Sequence, residues 1–308
     1  MAAPMRYQSA SSDQVDAFIY SDHWHLQQKL DGVRVHAWIR PGEVTLSGAA
    51  GYPGDLARIR KALLPLANHT QIITLDGELV EGKLWLFDLP EWGRKTPEGL
   101  TMAVVPESTW WMREQCLATM WRAAELDENV LSLAPVYRRH LEKIWLWEQV
   151  QERGLEGVVA KHRDGPYSYD ERVDHVLKVK VTHTVDCVVL ERNTGGKTNA
   201  RLGLYRKDGS LGYVGNCSMI GKPDAQPGDV VEVKYLYAGS GGNLVQPTVL
   251  RQRDDKAATD CTAEQLAFIS RDVLPYGWRK MPRGTLSAAR DRINKTNELR
   301  AIAGKRTL

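Results

Sequence analysis

The chain has 308 residues, of which 43% are hydrophobic and 26% are charged. This composition is typical of a soluble globular protein with room for two domains. It contains neither an apolar run of roughly 18 residues nor a signal-peptide pattern, which argues against a membrane span and predicts a cytoplasmic protein. The net charge of +3 comes from residues 257–308, which hold ten basic and five acidic residues.

Metal and disulfide frameworks are disfavoured by the spacing of the cysteines and histidines. Four cysteines lie far apart with no C-x-x-C pair: Cys116, Cys187, Cys217 and Cys261. We therefore expect reduced, structural thiols. His23 and His25 flank Trp24 without a further ligand at suitable spacing, so a partly exposed strand is favoured there over a metal site.

The first third of the chain alternates strand-like segments with turns. Strands are predicted over residues 25–29, 33–39 and 43–47, with turns at Asp31-Gly32 and Pro41-Gly42. The apolar periodicity from Asp55 to Leu66 predicts a helix. Three further strands are predicted over residues 72–74, 78–80 and 84–87.

Two helices and two strands follow. Apolar residues recur at helical spacing from Trp110 to Glu125 and from His140 to Arg153, and tryptophans spaced in this way indicate a core. Residues 157–161 and 175–181 have strand character. Residues 1–182 are thus predicted to form an α+β domain of mixed sheets with packed helices.

The pattern then changes to five short strands with tight glycine turns, over residues 186–191, 200–205, 211–216, 229–237 and 246–250. This pattern predicts a small OB-type β-barrel over residues 183–256. Residues 257–308 are expected to form a basic, helical extension, with helices over Ala263–Leu274 and Leu286–Ile302. Its charges can bind phosphate backbone, although a charge run is also typical of a solvated helix face.

The segment Lys29-Leu30-Asp31-Gly32-Val33-Arg34 is the first candidate for chemistry. A deprotonated lysine is a nucleophile, and a carboxylate and a guanidinium nearby can orient a phosphorylated substrate. Gly32 allows close backbone approach. From these residues alone, a surface hairpin with a solvated lysine explains the segment equally well.

Three later segments carry further candidates. Asp76 and Glu78 lie at strand spacing on one face, as metal or ribose contacts require, although Asp76-Gly77 is also a common turn. Phe87 can stack on a base or fill a core. Glu156 begins an apolar run that ends at Lys161.

Lys178 and Lys180 share one face of a strand, which is understandable if an anion lies between the two ammonium groups. A solvated edge strand decorated with lysine is the alternative interpretation.

The ordered set of segments resembles the ATP-dependent DNA ligases of the covalent nucleotidyltransferase superfamily. The matching segments are Lys29–Arg34 (motif I), Asp76-Gly77-Glu78 with Phe87 (motifs III and IIIa), Glu156–Val159 (motif IV), Lys178-Val179-Lys180 (motif V) and Arg251–Lys256 (motif VI). The resemblance implies an adenylation domain over residues 1–182 followed by the OB domain. It covers residues from about 24 to 256.

The resemblance also implies roles for individual residues. Lys29 would attack the α-phosphate of ATP, with Asp31 and Arg34 positioning the nucleotide. Gln27 stands where larger ligases often have glutamate, and its carbonyl could accept the same hydrogen bond from the adenine amino group. Glu78 would contact ribose or metal, Phe87 would stack on adenine, and Glu156 would bind Mg²⁺ (or Mn²⁺). Lys178 and Lys180 would hold the α-phosphate. The pyrophosphate would be oriented by three residues of the OB domain: Arg251, Arg253 and Lys256.

A monomeric enzyme that seals nicks in duplex DNA is the function that the resemblance implies. Only about two dozen residues precede motif I, so we expect a minimal ligase without an N-terminal DNA-binding domain, whose basic tail supplies the missing grip on DNA. Two alternatives stay open. One is an RNA-end-joining or capping-type nucleotidyltransferase, and the other is a catalytically inactive OB-fold protein that binds nucleic acid.

Overall fold

The computed structural model describes residues 2–67, 71–97, 99–193 and 198–269. These residues fall into two compact units. The first contains the described residues up to Glu148 together with Gly157–Val179, and the second contains Gln149–Glu156 with the described residues from Lys180 onward. Among the described helices, none has the length and apolar character needed to cross a membrane.

The first unit contains a four-stranded sheet in the order β1-β10-β9-β2. Its strands are β1 (Arg6–Ala10), β2 (Trp24–Gln28), β9 (Gly157–His162) and β10 (Arg172–Lys180). β1 runs parallel to β10, and β2 runs antiparallel to β9. The sheet therefore places segments from three distant parts of the chain side by side.

A larger sheet in the same unit has the order β4-β3-β5-β6-β7, with β8 pairing with β6. Its strands are β3 (Val33–Arg40), β4 (Glu43–Ser47), β5 (Gln71–Val80), β6 (Lys83–Thr96), β7 (Gly99–Val104) and β8 (Leu131–Leu133). Alternate apolar residues of these strands form the main core, with Ile39, Ile73 and Leu84 fully buried. Ile59 of the helix before β5 joins the same core.

Four α-helices lie in the described residues: α1 (Val15–Ile19), α2 (Pro53–Leu63), α3 (Trp110–Ala123) and α4 (His140–Glu152). α2 has proline in its first turn and Arg60 and Lys61 in its last, as the helix dipole favours. The Thr109 hydroxyl caps α3 by accepting from the backbone N–H of Met112. The helices predicted over residues 55–66, 110–125 and 140–153 are confirmed, apart from small differences at their ends.

The second unit contains a five-stranded antiparallel sheet in the order β13-β12-β11-β14-β15. Its strands are β11 (His183–Asn193), β12 (Asn199–Tyr205), β13 (Leu211–Ser218), β14 (Val230–Tyr235) and β15 (Thr248–Gln252). Each coincides with one of the five predicted short strands. The α+β class is confirmed, whereas closure of this sheet into an OB barrel and the boundary at residue 182 stay predictions.

The segment that contains Lys29 is not a hairpin, so that interpretation is wrong. β2 pairs with β9 in one sheet, and β3 pairs with β4 and β5 in the other. Residues 29–32 therefore cross from one sheet to the other. An Asp-Gly pair permits a tight turn, but the partners of the flanking strands are set by distant segments.

The interpretation of Asp76-Gly77 as a turn is also wrong. Both residues lie inside β5, and the two strands predicted on either side are one continuous strand. The register against β6 shifts on either side of Asp76, which indicates a bulge. A bulge accommodates this pair within a long strand, and local propensity cannot distinguish it from a turn.

The helix predicted over Ala263–Leu274 is wrong for its described residues. Only Ala263–Gln265 form one 3-10 turn. The next residues are extended, because the backbone N–H of Ala238 donates to Ala267 O at 2.7 Å and the N–H of Ile269 donates to Ala238 O at 3.2 Å. Pairing with a distant segment outweighs the helical propensity of alanine. The helix predicted over residues 286–302 lies outside the described residues.

Candidate active site

A cavity of about 300 Å³ opens in the first unit, where both of its sheets contribute residues. Its lining is strongly basic. Six lining residues carry a positive charge: Arg6, Lys29, Arg34, Lys161, Arg172 and Lys178. Glu78 supplies a carboxylate, and Gln27, Phe87 and Tyr7 also line the cavity. An excess of cations in a concave site favours a ligand with several negative charges.

Lys29 enters this cavity from the end of β2. Its backbone N–H donates to Gly157 O at 2.9 Å, so the lysine of motif I lies beside the first residue of β9. Gly32, three residues on, must be glycine, because a Cβ there would lie 2.2 Å from Leu79 O in β5. In the structure the close neighbour of Gly32 is the backbone of β5, and the approach of a substrate to Gly32 stays a prediction. Asp31 is exposed and is not among the residues that line the cavity.

Arg34 is held against the cavity wall by a buried acid. Its Nε lies 2.8 Å from Asp76 Oδ1, and its other nitrogens donate to Asp76 Oδ2 and Met5 O, each at 2.5 Å. The hydroxyl of Tyr167 also donates to Asp76 Oδ2, at 2.6 Å. Burial acts to lower the pKa of Arg34, but Asp76 raises it above the usual range. The guanidinium is therefore a fixed positive charge with a fixed orientation.

Phe87 forms an aromatic part of the lining between two cations. Its ring centroid lies 5.6 Å from Cζ of Arg34 and 4.7 Å from Nζ of Lys161. Cations this close to a ring are attracted by its negative face and hold it in place. Phe87 is partly exposed, so its ring is available to a planar ligand in the cavity.

Lys161 is the principal residue that our assignment of site residues missed. Its side chain is fully buried, and Nζ lies 2.9 Å from Phe87 O and 3.8 Å from Asp88 Oδ2. Burial lowers the pKa of Lys161 to about 8, although Asp88 acts in the opposite direction. The sequence did contain a signal for Lys161, namely a lysine at the end of an apolar strand. A buried ammonium group requires hydrogen-bond or ion-pair partners, so such a lysine points to a site.

A fully buried ion pair lies directly behind this lysine. Arg113 donates from Nε to Asp88 Oδ1 at 2.7 Å and from a second nitrogen to Oδ2 at 3.2 Å. Burial would raise the pKa of Asp88, but Arg113 and Lys161 together hold it below its usual value. Two positive charges thus share one carboxylate, which leaves this region of the cavity wall positive.

Arg6, Tyr7 and Arg172 were also missed. They lie on the parallel pair β1 and β10, and Arg172 donates to Tyr7 O at 2.9 Å. Lys178 is a further residue of β10. No motif marked β1 in the sequence, since its partner strand lies more than 160 residues away along the chain.

The remaining predicted residues belong to the second unit. Glu156 is buried, and Lys180 Nζ lies 2.8 Å from its Oε1. Lys180 also donates to the side chain of Gln246 at 3.0 Å. The second lysine of motif V and the glutamate of motif IV therefore form one ion pair.

The basic residues of motif VI are paired with acids of the same unit. Arg253 and Lys256 both contact Asp186, at 3.2 and 2.7 Å. Arg251 Nε lies 2.6 Å from Glu232 Oε2 on an exposed surface. Asp186 gathers two of the three predicted pyrophosphate contacts into one cluster.

Oxygen ligands for a magnesium ion are available on chemical grounds. Glu78 presents a carboxylate among the cavity residues, and Mg²⁺ prefers oxygen ligands. Glu156 belongs to the second unit, where Lys180 Nζ contacts its Oε1. Of the two predicted ligands, Glu78 is the one that lines the cavity and could hold a divalent ion there.

Comparison with known proteins places this chain beside DNA ligases. A probable DNA ligase of Anaeromyxobacter dehalogenans (strain 2CP-C) is 32% identical over 231 residues, which are 64% of this chain and 42% of that protein. A probable DNA ligase of strain 2CP-1 is 29% identical over 258 residues, which are 71% of this chain and 47% of that protein. The chain spans less than half the length of these curated relatives. No protein-family model matches it.

A solved structure of a Lig E DNA ligase superposes with a TM-score of 0.56 at 19% identity, covering 82% of this chain and 100% of that one. At this identity the likeness concerns the fold alone. The sequence matches go further. The chain is similar over 64 to 71% of its length to curated proteins named DNA ligase, and the predicted resemblance to DNA ligases is confirmed.

Proposed function

We propose that this chain is an ATP-dependent DNA ligase that works through AMP bound covalently to Lys29. The observation that carries the proposal is the position of Lys29 in a cavity lined by five further cations and an accessible aromatic ring. A nucleoside triphosphate has the matching features, namely several negative charges and a planar base. The homology to DNA ligases supports the same function.

In the first step, the lone pair of Lys29 Nζ attacks the α-phosphorus of ATP. A phosphoramidate P–N bond forms, the P–O bond to the β-phosphate breaks, and pyrophosphate leaves with that electron pair. The ammonium group of Lys29 gives one proton to solvent before the attack and a second as the P–N bond forms. Arg34 and Lys178 neutralise charge on the phosphates, while Phe87 stacks on the base. Mg²⁺ held by Glu78 would add charge neutralisation at the phosphates.

The next two steps transfer and release AMP. A 5′-phosphate oxygen at a DNA nick attacks the same phosphorus, the P–N bond breaks, and Lys29 is regenerated. The 3′-hydroxyl then attacks the 5′-phosphate, loses its proton, and expels AMP. Positioning and charge neutralisation supply most of the acceleration in such transfers. We further propose that the cluster of Arg253 and Lys256 on Asp186 contacts the leaving pyrophosphate.

Covalent labelling tests the first step. Wild-type protein, treated with pyrophosphate to remove any bound AMP, is incubated with ATP labelled at the α-phosphate and a divalent metal. We expect label on the wild-type chain and on Lys207→Ala, an exposed lysine in the second unit, but none on Lys29→Ala. Label that persists in Lys29→Ala would assign the nucleophile to another residue, and no label on any protein would refute the proposal.

A comparison of nucleotides and of nicked substrates separates the proposed ligase function from its alternatives. ATP should support label transfer and GTP should not, whereas a capping-type enzyme would show the opposite preference. The labelled protein should then seal nicked duplex DNA faster than nicked RNA. An inactive nucleic-acid-binding protein would bind both nicks and transfer no label. The predicted contribution of the basic tail to DNA binding concerns residues outside the described ones and stays a prediction.

A further inference from the structure

We propose a second, non-catalytic metal site on the surface of the first unit, formed by His23, His162 and Asp164 and suited to Zn²⁺ or a similar transition-metal ion. The potential ligand atoms of these three residues all lie within 4.8 Å of one another. The two imidazole rings are stacked nearly parallel, with centroids 5.8 Å apart and planes inclined by 5°, so one ring must turn before both can direct an in-plane lone pair at a shared ion. Spacing along the chain offers His23 no such partners, since the fold brings them from more than 130 residues away.

The backbone beneath these side chains is already held in place without an ion. His23 immediately precedes β2 and His162 is the last residue of β9, where Trp24 is the cross-strand partner of His162. The backbone N–H of Arg163 donates to His23 O at 2.8 Å, which extends the ladder by one further bond. The Trp24 ring packs edge-on against His162, with centroids 5.1 Å apart. An ion would therefore meet ligands whose main chains need no rearrangement.

The side chains must rotate to complete the site. Zinc binds nitrogen and oxygen donors at about 2.0 to 2.2 Å in tetrahedral geometry, so two donors on one ion lie roughly 3.3 to 3.6 Å apart. Donors separated by up to 4.8 Å can reach this arrangement by rotation about side-chain torsions, because His23 and Asp164 are exposed. The site has space for this adjustment at the surface.

The competing contacts of the three residues are weak. Arg163 Nε lies 3.6 Å from Asp164 Oδ1, an exposed ion pair that contributes little. The backbone N–H of Asp164 approaches His162 Nδ1 at 3.3 Å, which is long for such a bond. Among the described residues, an ion that takes the imidazole and carboxylate lone pairs displaces these two contacts and the stacking of the His23 and His162 rings.

The donor set distinguishes this site from the one that the proposed ligase chemistry uses. Two imidazoles and a carboxylate suit zinc and related ions, whereas Mg²⁺ prefers oxygen ligands throughout. The site also lies at the end of the β2–β9 ladder remote from Lys29, roughly 20 Å away at the rise of an extended strand. An ion here would join the start of β2 to the end of β9 and stabilise the folded chain by mass action.

Zinc titration by calorimetry tests the site. The full chain is titrated with Zn²⁺ in excess Mg²⁺ and a non-thiol reductant, and thermal unfolding is followed in parallel. We expect one zinc ion per chain and a Tm that rises with zinc. Zinc affinity should fall by at least about tenfold in His23→Gln and in His162→Gln, because each loses an imidazole ligand. It should also fall in Asp164→Asn, because a neutral amide is a weaker ligand than a carboxylate. The matched control is His183→Gln in the second unit, which should bind as the wild type does.

Two results would overturn the site. One is zinc binding of equal affinity in His23→Gln, His162→Gln and the wild type, which would assign the ion to other groups such as the partly exposed thiol of Cys116. The other is the absence of zinc binding to the wild type in excess Mg²⁺. His23 is exposed and precedes its strand, so His23→Gln should fold and keeps the test valid if His162→Gln does not.

Discussion

Replacing Lys161 with methionine should change how the stability of this protein depends on pH. Lys161 is fully buried, and burial lowers its pKa from the usual 10.5 to about 8. A group with a lower pKa in the folded state binds more protons when unfolded, at any pH between the two values. Stability therefore rises with pH across the window from about 8 to 10.5.

The size of this effect follows from the shift. A difference of about 2.5 pKa units corresponds to roughly 3 kcal/mol over the whole window, of which about 2 kcal/mol falls between pH 7.5 and 9.5. Methionine has a similar unbranched shape without the charge, so the variant should lack this increase. It also loses the hydrogen bond to Phe87 O and the cation above the Phe87 ring, and we expect weaker label transfer from ATP.

Urea unfolding of the wild type and Lys161→Met at pH 7.5, 8.5 and 9.5 measures the effect. The difference in unfolding free energy should shift by about 2 kcal/mol in favour of the wild type as pH rises. Lys207→Met, at an exposed lysine, serves as the control and should follow the wild type. Parallel pH profiles for wild type and Lys161→Met would refute the conclusion that this ammonium is buried at a cost.

Three other substitutions test the framework of the site. Gly32→Ala places a Cβ 2.2 Å from Leu79 O, so the crossover must shift, and chemical denaturation should show a loss of about 1 to 3 kcal/mol with slower label transfer. Wild-type stability in Gly32→Ala would contradict the close approach. Arg113→Met leaves Asp88 buried without its main partner and should cost about 3 to 5 kcal/mol; a neutral result would show that Lys161 suffices. Burial lowers the pKa of His25 to about 4, so stability should fall as pH drops from about 6.5 toward 4, by at most about 3 kcal/mol. His25→Phe should reduce this fall in thermal melts, and an unchanged acid limb would contradict it.

The fold was predictable wherever local pattern decides the structure. The spacing of apolar residues predicted α3 and α4, and short strand-like segments between glycine turns predicted the five strands of the second unit. All of these elements lie where the pattern predicts them. The two Asp-Gly pairs were not predictable in the same way. One crosses between sheets and the other lies at a bulge in β5, because strand pairing depends on segments far away in the chain.

The sequence by itself predicted which residues line the candidate site. The order and spacing of the motifs indicated Lys29, Arg34, Glu78, Phe87 and Lys178, and all five line one cavity. Such motifs can be recognised in a sequence because a nucleophile, a phosphate-binding cation and a base-stacking ring each require a particular residue type. Their roles in adenylation stay predictions until label transfer is measured.

Only the tertiary structure decided which groups surround those residues. It placed Lys161 beneath Phe87, brought Arg6 and Arg172 into the lining through a parallel pairing, and joined His23 to His162 and Asp164. Each of these contacts joins segments that are far apart in sequence, and a buried charge or a shared ligand leaves no local periodic pattern. Spacing along the chain thus specifies which chemistry is present, and the packing of distant strands specifies the environment in which that chemistry acts.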